Sequence, residues 1–219
     1  MFLTSRSKLF SGCFICAFAV LSLAGGNSDS TTIVLPQPQM DKGKPLMQAL
    51  KERKSSRDFS SQKISEQELS NLLWAGFGIN RPETGGRTAP SAMNTQEIDL
   101  YVTSEHGCYL FDAQSNKLIR VLSKDIRALT GKQPFVNDAP LNIVMVADYS
   151  RIKKGGDNAK TYAIANAAFI SENIYLYCAS EGLATVVRAY VDKPVLAKAM
   201  QLKPDQEVIF AQTVGYPKK

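Results

Sequence analysis

The sequence predicts one domain of the α+β class, and three observations support this prediction. Residues 162–179 are apolar on nearly every side, which is typical of one long helix buried at the centre of a core. Residues 141–147 form a continuous run rich in β-branched side chains, which predicts a strand buried on both faces. The predicted elements follow the order α-α-β-β-α-β-α-α-β without an internal repeat, so helices and strands must share one core.

The first part of the chain predicts an arm and then a helix. Residues 25–43 are rich in Gly, Ser, Thr, Pro and Gln, a composition typical of a linker or an N-terminal arm. The domain is therefore predicted to span residues 44–219. Its first predicted helix covers residues 45–54, with an inner side formed by Leu46, Met47 and Leu50.

A second helix is predicted from its start signal. Ser65 and Glu68 have the spacing of a capping box, in which each residue satisfies a free backbone N–H of the first turn. The helix would end at Gly76 or Gly78. Its apolar side would be formed by Leu69, Leu72, Leu73 and Trp74.

The middle of the chain predicts a long loop and a hairpin. Residues 80–96 show no periodicity, and a loop of that length inside a compact domain is commonly functional. Residues 98–102 alternate like a strand, and residues 108–111 are its predicted partner across a turn at His106 and Gly107.

Three further elements complete the predicted order. A short helix would begin at Ser123 and end near Gly131. Asp192 would cap a helix that runs to Met200, and residues 208–214 would form the last strand.

Three polar residues interrupt the long apolar helix. Asn166, Asn173 and Ser180 are seven residues apart, so they share one stripe of the helix. Hydrogen bonds to other helices are one interpretation, and a stripe that faces a subunit interface or a ligand is the other. The helix would end at Gly182 in a left-handed cap, and the small residues that follow would bring backbone N–H groups close to a flat cofactor.

The N-terminus has the pattern of an export signal over residues 1–24. Arg6 and Lys8 supply the positive start, residues 9–23 supply the apolar stretch, and residues 22–24 form a small-residue cleavage pattern. The apolar stretch is short for a spanning helix. We therefore expect a cleaved signal peptide and a periplasmic protein, with a membrane anchor as the alternative.

Charge and cysteine content exclude several classes of function. The net charge of +6 falls to +4 without residues 1–24, which carry two cations and no acids. The basic residues are scattered and no aromatic residues alternate with them, so nucleic-acid binding is not predicted. Without the signal only Cys108 and Cys178 remain, which are too few and too distant for a zinc site or a disulfide framework.

The densest basic cluster contains the first candidate site. Arg53, Ser55 and Arg57 alternate along a segment predicted to be extended, so their side chains would share one side, and Lys54 adds a fourth polar group beside them. Two guanidinium groups and a hydroxyl suit a phosphate or the polar edge of a ring. A solvated helix end is the alternative interpretation.

Residues 89–96 form the second candidate segment. Their small side chains would let a backbone approach a flat ligand, and Asn94 offers both a donor and an acceptor, although an ordinary turn is the alternative. The sequence contains no Ser-His-Asp set, no cluster of metal ligands and no glycine-rich phosphate loop. An enzyme with this sequence would therefore rely on a cofactor for its chemistry.

Four segments together resemble the nitroreductase superfamily. Residues 53–59 resemble its opening motif R-[RK]-S-x-R-x-F, and residues 90–96 resemble P-S-[SA]-x-N-x-Q. Residues 181–185 and 215–217 resemble E-G-L-G-T and the closing G-Y-P. The order and spacing also match from about residue 44 to the end, and the layout after the second motif is similar to the branch that includes the SagB-type dehydrogenases.

The resemblance implies a fold, a cofactor and an activity. The fold would be a three-layer sandwich in which helices flank a central mixed, mainly antiparallel sheet, and the protein would be an intertwined homodimer with FMN at its interface. The activity would be that of an FMN-dependent oxidoreductase with a ping-pong mechanism. A small-molecule donor would reduce the flavin, and a quinone or nitroaromatic acceptor would take the electrons.

The resemblance also assigns roles to individual residues. Arg53 and Ser55 would bind the phosphate and ribityl chain, Arg57 would bind the N1/O2 edge of the flavin ring, and Lys54 would also contact the cofactor. The other subunit would contribute Pro90, Ser91, Ala92 and Asn94. The backbone near flavin N5 would be that of Gly182, Leu183 and Ala184, and a lysine at the C-terminus, Lys218 or Lys219, would join the phosphate.

Two positions depart from the family pattern. Ala184 replaces the second glycine of E-G-L-G-T, which narrows the approach to N5, and Glu97 replaces the Pro-Trp that follows Gln96, which predicts a different substrate side. Two alternatives remain at this point. One is an exported flavin-binding protein without nicotinamide-driven turnover, and the other is a cofactor-free binding domain on the same scaffold.

Overall fold

A computed structural model of the chain describes Met1, residues 31–153 and residues 156–218. Apart from Met1, the predicted export signal lies outside the described residues, as do residues 25–30 of the predicted arm and Lys219. The chain divides into two compact units, Met1–Ser30 and Thr31–Lys219, and every element below belongs to the second unit.

A seven-stranded sheet forms the centre of this unit, with strand order β1-β6-β5-β4-β7-β9-β8. The strands are β1 (Thr32–Val34), β4 (Ile98–Ser104), β5 (Gly107–Asp112), β6 (Lys117–Leu122), β7 (Leu141–Asp148), β8 (Ala184–Arg188) and β9 (Gln206–Gly215). A separate hairpin consists of β2 (Ile79–Arg81) and β3 (Gly86–Arg87). The predicted mainly antiparallel sheet is confirmed, and every strand pairing within the described residues is antiparallel.

Helices cover both faces of the sheet, which confirms the predicted three layers. They are α1 (Leu46–Glu52), α2 (Glu66–Phe77), α3 (Phe135–Asp138), α4 (Ala159–Glu181) and α5 (Lys193–Ala199). Side chains of β7 alternate between two cores, as expected for a strand buried on both faces. Ile143 and Met145 join the core beneath α2 and α4, whereas Val144 and Val146 join the core beneath α5.

The capping box predicted at α2 is present in full. Ser65 Oγ accepts a hydrogen bond from the Glu68 N–H at 3.2 Å, and the Glu68 carboxylate accepts one from the Ser65 N–H at 3.3 Å. The same carboxylate accepts a 2.6 Å bond from the hydroxyl of Tyr216, in the closing G-Y-P motif. This bond ties the start of α2 to the end of the last strand.

The predicted orientation of α1 is wrong. Leu46, Met47 and Leu50 are exposed, and the buried residue is Ala49. Because α1 is only two turns long and packs beside α4, only the small side chain of Ala49 fits the narrow contact. The three larger residues form an apolar surface on the outside of the chain.

Helix α4 is confirmed as the central helix, but the prediction that it is buried on all sides is wrong. Ile164 is 51% exposed and Phe169 is 49% exposed, and both lie on the first half of the helix away from the sheet. The helix ends as predicted at Gly182, whose φ of 74° is the left-handed conformation that glycine adopts without steric cost.

Several strands were not predicted. Residues 32–34, assigned to the arm, form the edge strand β1 because Ile33 and Leu35 pack against the main core. Strand β6 follows β5 in a second hairpin. Strand β8 replaces the predicted loop after Gly182 and pairs with β9.

Smaller corrections concern turns and short helices. The turn between β4 and β5 consists of Glu105 and His106, because Gly107 already pairs with Ser104. The predicted loop of residues 80–96 contains the β2–β3 hairpin. The helix predicted from Ser123 is reduced to a single turn at Arg127–Thr130. Asp192 does cap α5, because its carboxylate accepts a hydrogen bond from the Val195 N–H.

Candidate functional site

The segment after α1 runs in extended form between β8 and the C-terminus. The backbone N–H of Ser56 donates to the Thr185 carbonyl at 2.9 Å, and the N–H of Lys218 donates to the Asp58 carbonyl at 3.2 Å. Phe59 forms a β-bridge with Pro217. The opening and closing sequence motifs are therefore adjacent in the structure, as the resemblance requires.

Alternate residues of this segment face different surroundings. Lys54, Ser56 and Asp58 line a cavity of about 550 Å³, whose wall also includes Lys218 and the turn that follows α4. Arg53, Ser55 and Arg57 do not line this cavity, which agrees with their predicted position on one side of an extended chain. Arg53 is half-buried, whereas Ser55 and Arg57 are exposed.

Tyr175 of α4 joins two of the predicted site residues. Its hydroxyl lies 2.8 Å from Ser55 Oγ, and the guanidinium carbon of Arg53 lies 5.3 Å from the centre of its ring. The same hydroxyl accepts a hydrogen bond from the Val187 N–H of β8 at 3.0 Å. Tyr175 was not predicted as a site residue. A signal was available, since a buried tyrosine hydroxyl normally has a partner.

The turn after α4 uses two of the three predicted backbone donors in its own cap. The backbone N–H groups of Gly182 and Leu183 both donate to the Cys178 carbonyl, so each already has a hydrogen-bond acceptor. Ala184, the position that departs from the family motif, is the first residue of β8 and is buried. Ala184 lies outside this cap, but it pairs with Gly215 of β9 in the sheet.

The second candidate segment is a strained loop. Met93, Asn94 and Gln96 have φ values of 54°, 54° and 48°, in the left-handed region that costs a non-glycine residue free energy. Ser91 Oγ accepts a hydrogen bond from the Gln96 N–H at 3.1 Å and closes the loop. Such strain persists only where neighbouring contacts enforce it.

Two arginines hold the loop from outside. The Arg87 Nε–H donates to Gln96 Oε1 at 2.9 Å, and an Arg151 guanidinium N–H donates to the Gln96 carbonyl at 2.9 Å. Burial lowers the pKa of Arg87, and the nearby positive charge of Arg151 acts in the same direction. Arg151 also forms an ion pair with Asp99 of β4, which fixes it to the sheet.

Glu97, the residue that stands in place of the family's Pro-Trp, holds the loop from inside. The residue is fully buried. Its carboxylate accepts hydrogen bonds from Asn166 Nδ2 at 2.8 Å and from Thr95 Oγ1 at 2.6 Å, while Asn166 Oδ1 accepts one from the Ala92 N–H at 3.2 Å. Burying a carboxylate requires such partners, so Glu97 and its partners stabilise the loop.

The polar stripe of α4 is satisfied inside the chain. Asn166 binds Glu97, Asn173 donates to the Gly76 carbonyl at 3.5 Å, and Ser180 Oγ accepts a 2.7 Å bond from the Lys44 N–H. These contacts favour intrachain hydrogen bonding, the first of the two interpretations. The stripe therefore gives no support to a subunit interface.

The two candidate segments contact opposite faces of α4. Asn166 contacts the 90–96 loop and Tyr175 contacts the 53–57 segment. Nine residues separate them, which corresponds to about 13.5 Å along the axis and half a turn beyond two full turns. Within one chain, Asn94 and Arg53 therefore belong to different surfaces.

Other features of the described residues lie away from both segments. A second cavity of about 410 Å³, lined by His106, Tyr109 and Leu118 among others, contains none of the predicted site residues. Burial raises the pKa of the Cys108 thiol to about 12 and also raises that of Cys178. Over residues 31–153 and 156–218, no group of acidic, histidine and cysteine side chains could hold a metal ion, and no helix has the length and apolarity to cross a membrane.

The fold and the positions of the motifs together define the class of protein. It is a three-layer α+β domain in which the basic segment of residues 53–57 lies beside the turn that ends α4, next to a cavity. The sequence matches the nitroreductase family over residues 50–216. The chain belongs to the nitroreductase family.

Individual relatives agree with this assignment. A protein of Methanocaldococcus jannaschii described as a nitroreductase is 31% identical over 179 residues, which are 76% of this chain and 88% of that protein. A crystal structure from Ralstonia eutropha described as that of a nitroreductase is 42% identical, with a TM-score of 0.84 over 90% of this chain and 93% of that chain. A Desulfovibrio desulfuricans nitroreductase in complex with FMN shares the fold at 20% identity and a TM-score of 0.60, over 80% of this chain and 88% of that chain.

Proposed function

We propose that this protein is an FMN-dependent oxidoreductase whose two flavin sites are each shared between two copies of the chain. The observation that carries the proposal is the basic segment of residues 53–57, held by Tyr175 beside the end of α4. Membership of the nitroreductase family supports the activity, and the FMN bound to a structural relative supports the cofactor.

The residues present fit a phosphorylated ligand. Arg53, Lys54, Arg57 and Lys218 form no ion pair with an acidic side chain within the described part of the chain. Unpaired cations beside a hydroxyl are the groups that bind a phosphate through charge-assisted hydrogen bonds. The adjacent cavity of about 550 Å³ is within the usual range for ligand pockets.

Each group would contribute a separate part of the binding. Arg53 and Ser55 would hold the phosphate and ribityl chain, Arg57 would hold the polar edge of the ring, and Lys54 and Lys218 would add positive charge from the cavity side. The basic side chain at that edge would favour negative charge on it. When bound, FMN would supply two-electron redox chemistry, taking electrons from a small-molecule donor and passing them to an acceptor such as a quinone or a nitroaromatic in a ping-pong sequence.

The geometry of α4 supports the shared site. Because Asn94 and Arg53 lie on different surfaces of one chain, Ser91 and Asn94 of the partner subunit would complete the site. The apolar residues expected of such an interface are exposed beside it: Leu46, Met47 and Leu50 on α1, and Ile164 and Phe169 on α4. Exposed apolar surface of this kind is typical of an interaction site.

The proposed electron donor and location both rest on the predicted export signal. If residues 1–24 direct the chain to the periplasm, the flavin meets little NAD(P)H, and a quinol or another small donor replaces it. We assign the protein to the branch similar to the SagB-type dehydrogenases, on the layout that follows the Pro90-Ser91-Ala92 motif. Both sequence departures, Ala184 and Glu97 in place of Pro-Trp, support a changed substrate.

Purification of the mature protein tests this function directly. We expect a yellow protein that releases FMN on denaturation and whose flavin band bleaches faster with a quinol than with NADH in anaerobic stopped-flow measurements. A colourless protein that binds no added FMN would contradict the function. Rapid, saturable bleaching by micromolar NADH would retain the flavoprotein and contradict the donor.

A further inference from the structure

Tyr175 makes three contacts that converge on the basic segment. It is only 6% exposed, yet its hydroxyl meets both Ser55 Oγ and the Val187 N–H, and its ring lies beneath Arg53. Within the described residues, Tyr175 is the one hydrogen-bond partner of the Ser55 hydroxyl. No other side chain of α4 has a hydrogen bond or a ring contact with Ser55 or Arg53 in that part of the chain.

The groups involved fix the direction of one of these hydrogen bonds. The Val187 N–H can only donate, so the Tyr175 oxygen accepts from it. The tyrosine proton is then available to donate to Ser55 Oγ across the 2.8 Å separation. In this arrangement the proton of the Ser55 hydroxyl remains free to donate to an anion.

The ring of Tyr175 restrains the cation on the same segment. A guanidinium over an aromatic face is attracted by the negative charge of the π-system. At 5.3 Å from the ring centre, Arg53 is within the range of this interaction. The ring attracts Arg53 without an acidic group and without a hydrogen-bond acceptor. The guanidinium therefore keeps its positive charge and its N–H donors for another partner.

We propose that Tyr175 is a positioning residue for phosphate binding: it orients the Ser55 hydroxyl and the Arg53 guanidinium toward the phosphate of FMN. The inference rests on the proposed function and extends it to a residue outside the recognition motifs. Because Val187 belongs to β8, Tyr175 also links the phosphate-binding segment to the sheet edge beside the cavity.

The experiment measures FMN affinity of the apoprotein by flavin fluorescence for the wild type, Tyr175→Phe, Ser55→Ala and the double variant. Tyr175→Phe removes one oxygen atom and keeps the ring beneath Arg53. We expect it to weaken FMN binding roughly 2- to 12-fold, the range for one hydrogen bond. In the double variant we expect FMN affinity to fall by much less than the product of the two single effects, because both substitutions break the same bond.

Tyr109→Phe is the matched control. Tyr109 is also buried, lies near the guanidinium of Arg120 and donates one hydrogen bond, to the His106 carbonyl, but it is on β5 and outside both candidate segments. We expect its FMN affinity to equal that of the wild type. Urea unfolding of each apoprotein separates a loss of stability from a loss of affinity.

Four outcomes would overturn the inference, and they are distinguishable. A wild-type apoprotein that binds no FMN overturns the proposed function together with the inference. Normal FMN binding by Tyr175→Phe, or effects that multiply in the double variant, overturns the inference alone. If Tyr175→Phe does not fold, NMR of wild-type protein with ¹³C-labelled tyrosine rings decides. We expect the Tyr175 Cζ signal to move on FMN addition while that of Tyr109 stays, and an unmoved Tyr175 signal overturns the inference.

Discussion

Asn166 and Tyr175 leave α4 on opposite faces, about 13.5 Å apart along the helix axis. Asn166 holds the strained loop that carries Asn94, and Tyr175 holds the segment that carries Arg53. The two halves of the proposed binding site therefore lie on opposite sides of one helix. Two copies related by a two-fold axis can bring the halves together, because each copy then supplies one half to each site.

The first prediction concerns the exposed apolar face of α4. Phe169→Glu places a charge where the proposed partner subunit would exclude water, so we expect a shift from dimer to monomer in sedimentation velocity at micromolar concentration. FMN binding should fall with it, since half of each site would be lost. Val195→Glu on α5, at an equally exposed apolar residue, is the control and should remain dimeric. A wild-type protein that binds FMN as a monomer would contradict the shared site.

The hydrogen bonds of the buried Glu97 predict that two similar substitutions on α4 lower the stability by different amounts. Asn166→Leu removes both the donor to a buried carboxylate and the acceptor for the Ala92 N–H, so we expect a loss of about 1.5–3 kcal/mol of unfolding free energy in urea. Asn173→Leu, the same change seven residues later, breaks only a long 3.5 Å bond and should cost less than about 1 kcal/mol.

A third variant separates the charge of Glu97 from its hydrogen bonds. In Glu97→Gln the amide oxygen can accept from Asn166, and the amide N–H can donate to Thr95, whose hydroxyl also has the Ala92 carbonyl as an acceptor. We expect this variant to be more stable than Asn166→Leu. Equal losses for Asn166→Leu and Asn173→Leu would show that the loop does not depend on this contact.

The buried thiol of Cys108 predicts a pH dependence of stability. Burial raises its folded-state pKa from 9.0 to about 12, so between these pH values the folded chain keeps a proton that the unfolded chain loses. Stability present below pH 9 is therefore lost as the pH rises, by up to about 1.4 kcal/mol per pH unit. We expect urea unfolding of Cys108→Ala to show a shallower decline from pH 9 to 12, with parallel curves at pH 7 to 8. Parallel curves from pH 7 to 12 would contradict a raised pKa of the Cys108 thiol.

Local sequence signals predicted the elements that depend on neighbouring residues. The capping box of Ser65 and Glu68, the glycine cap at Gly182 and the apolar run in β7 each carry their own signal, and all three are present. Strands β6 and β8 were missed for a physical reason. Only Leu118 is buried in β6, so its pattern is faint, and β8 begins two residues after a helix cap whose glycine suggests a loop.

Side-chain partners depend on distant contacts, and these were harder to predict. The motifs located Arg53, Ser55 and Asn94, but the residues that hold them, Tyr175 and Glu97, looked like a core aromatic and a pocket residue. Leu46 and Met47 were predicted to be buried because they lie on one apolar face of α1. Apolar periodicity shows only which residues share such a face. Periodicity does not show whether this chain or a second copy covers that face.

Mixed dimers provide the most direct test of the shared site. Arg53→Ala and Asn94→Ala each damage a different half, so in a two-fold dimer a heterodimer contains one intact site and one doubly damaged site. Both variants are produced separately and co-expressed with different affinity tags, and FMN is counted per dimer after tandem purification. We expect little FMN in either homodimer and about one tight site per heterodimer. Heterodimers that bind no more FMN than the two homodimers would place both halves in one chain and contradict the account.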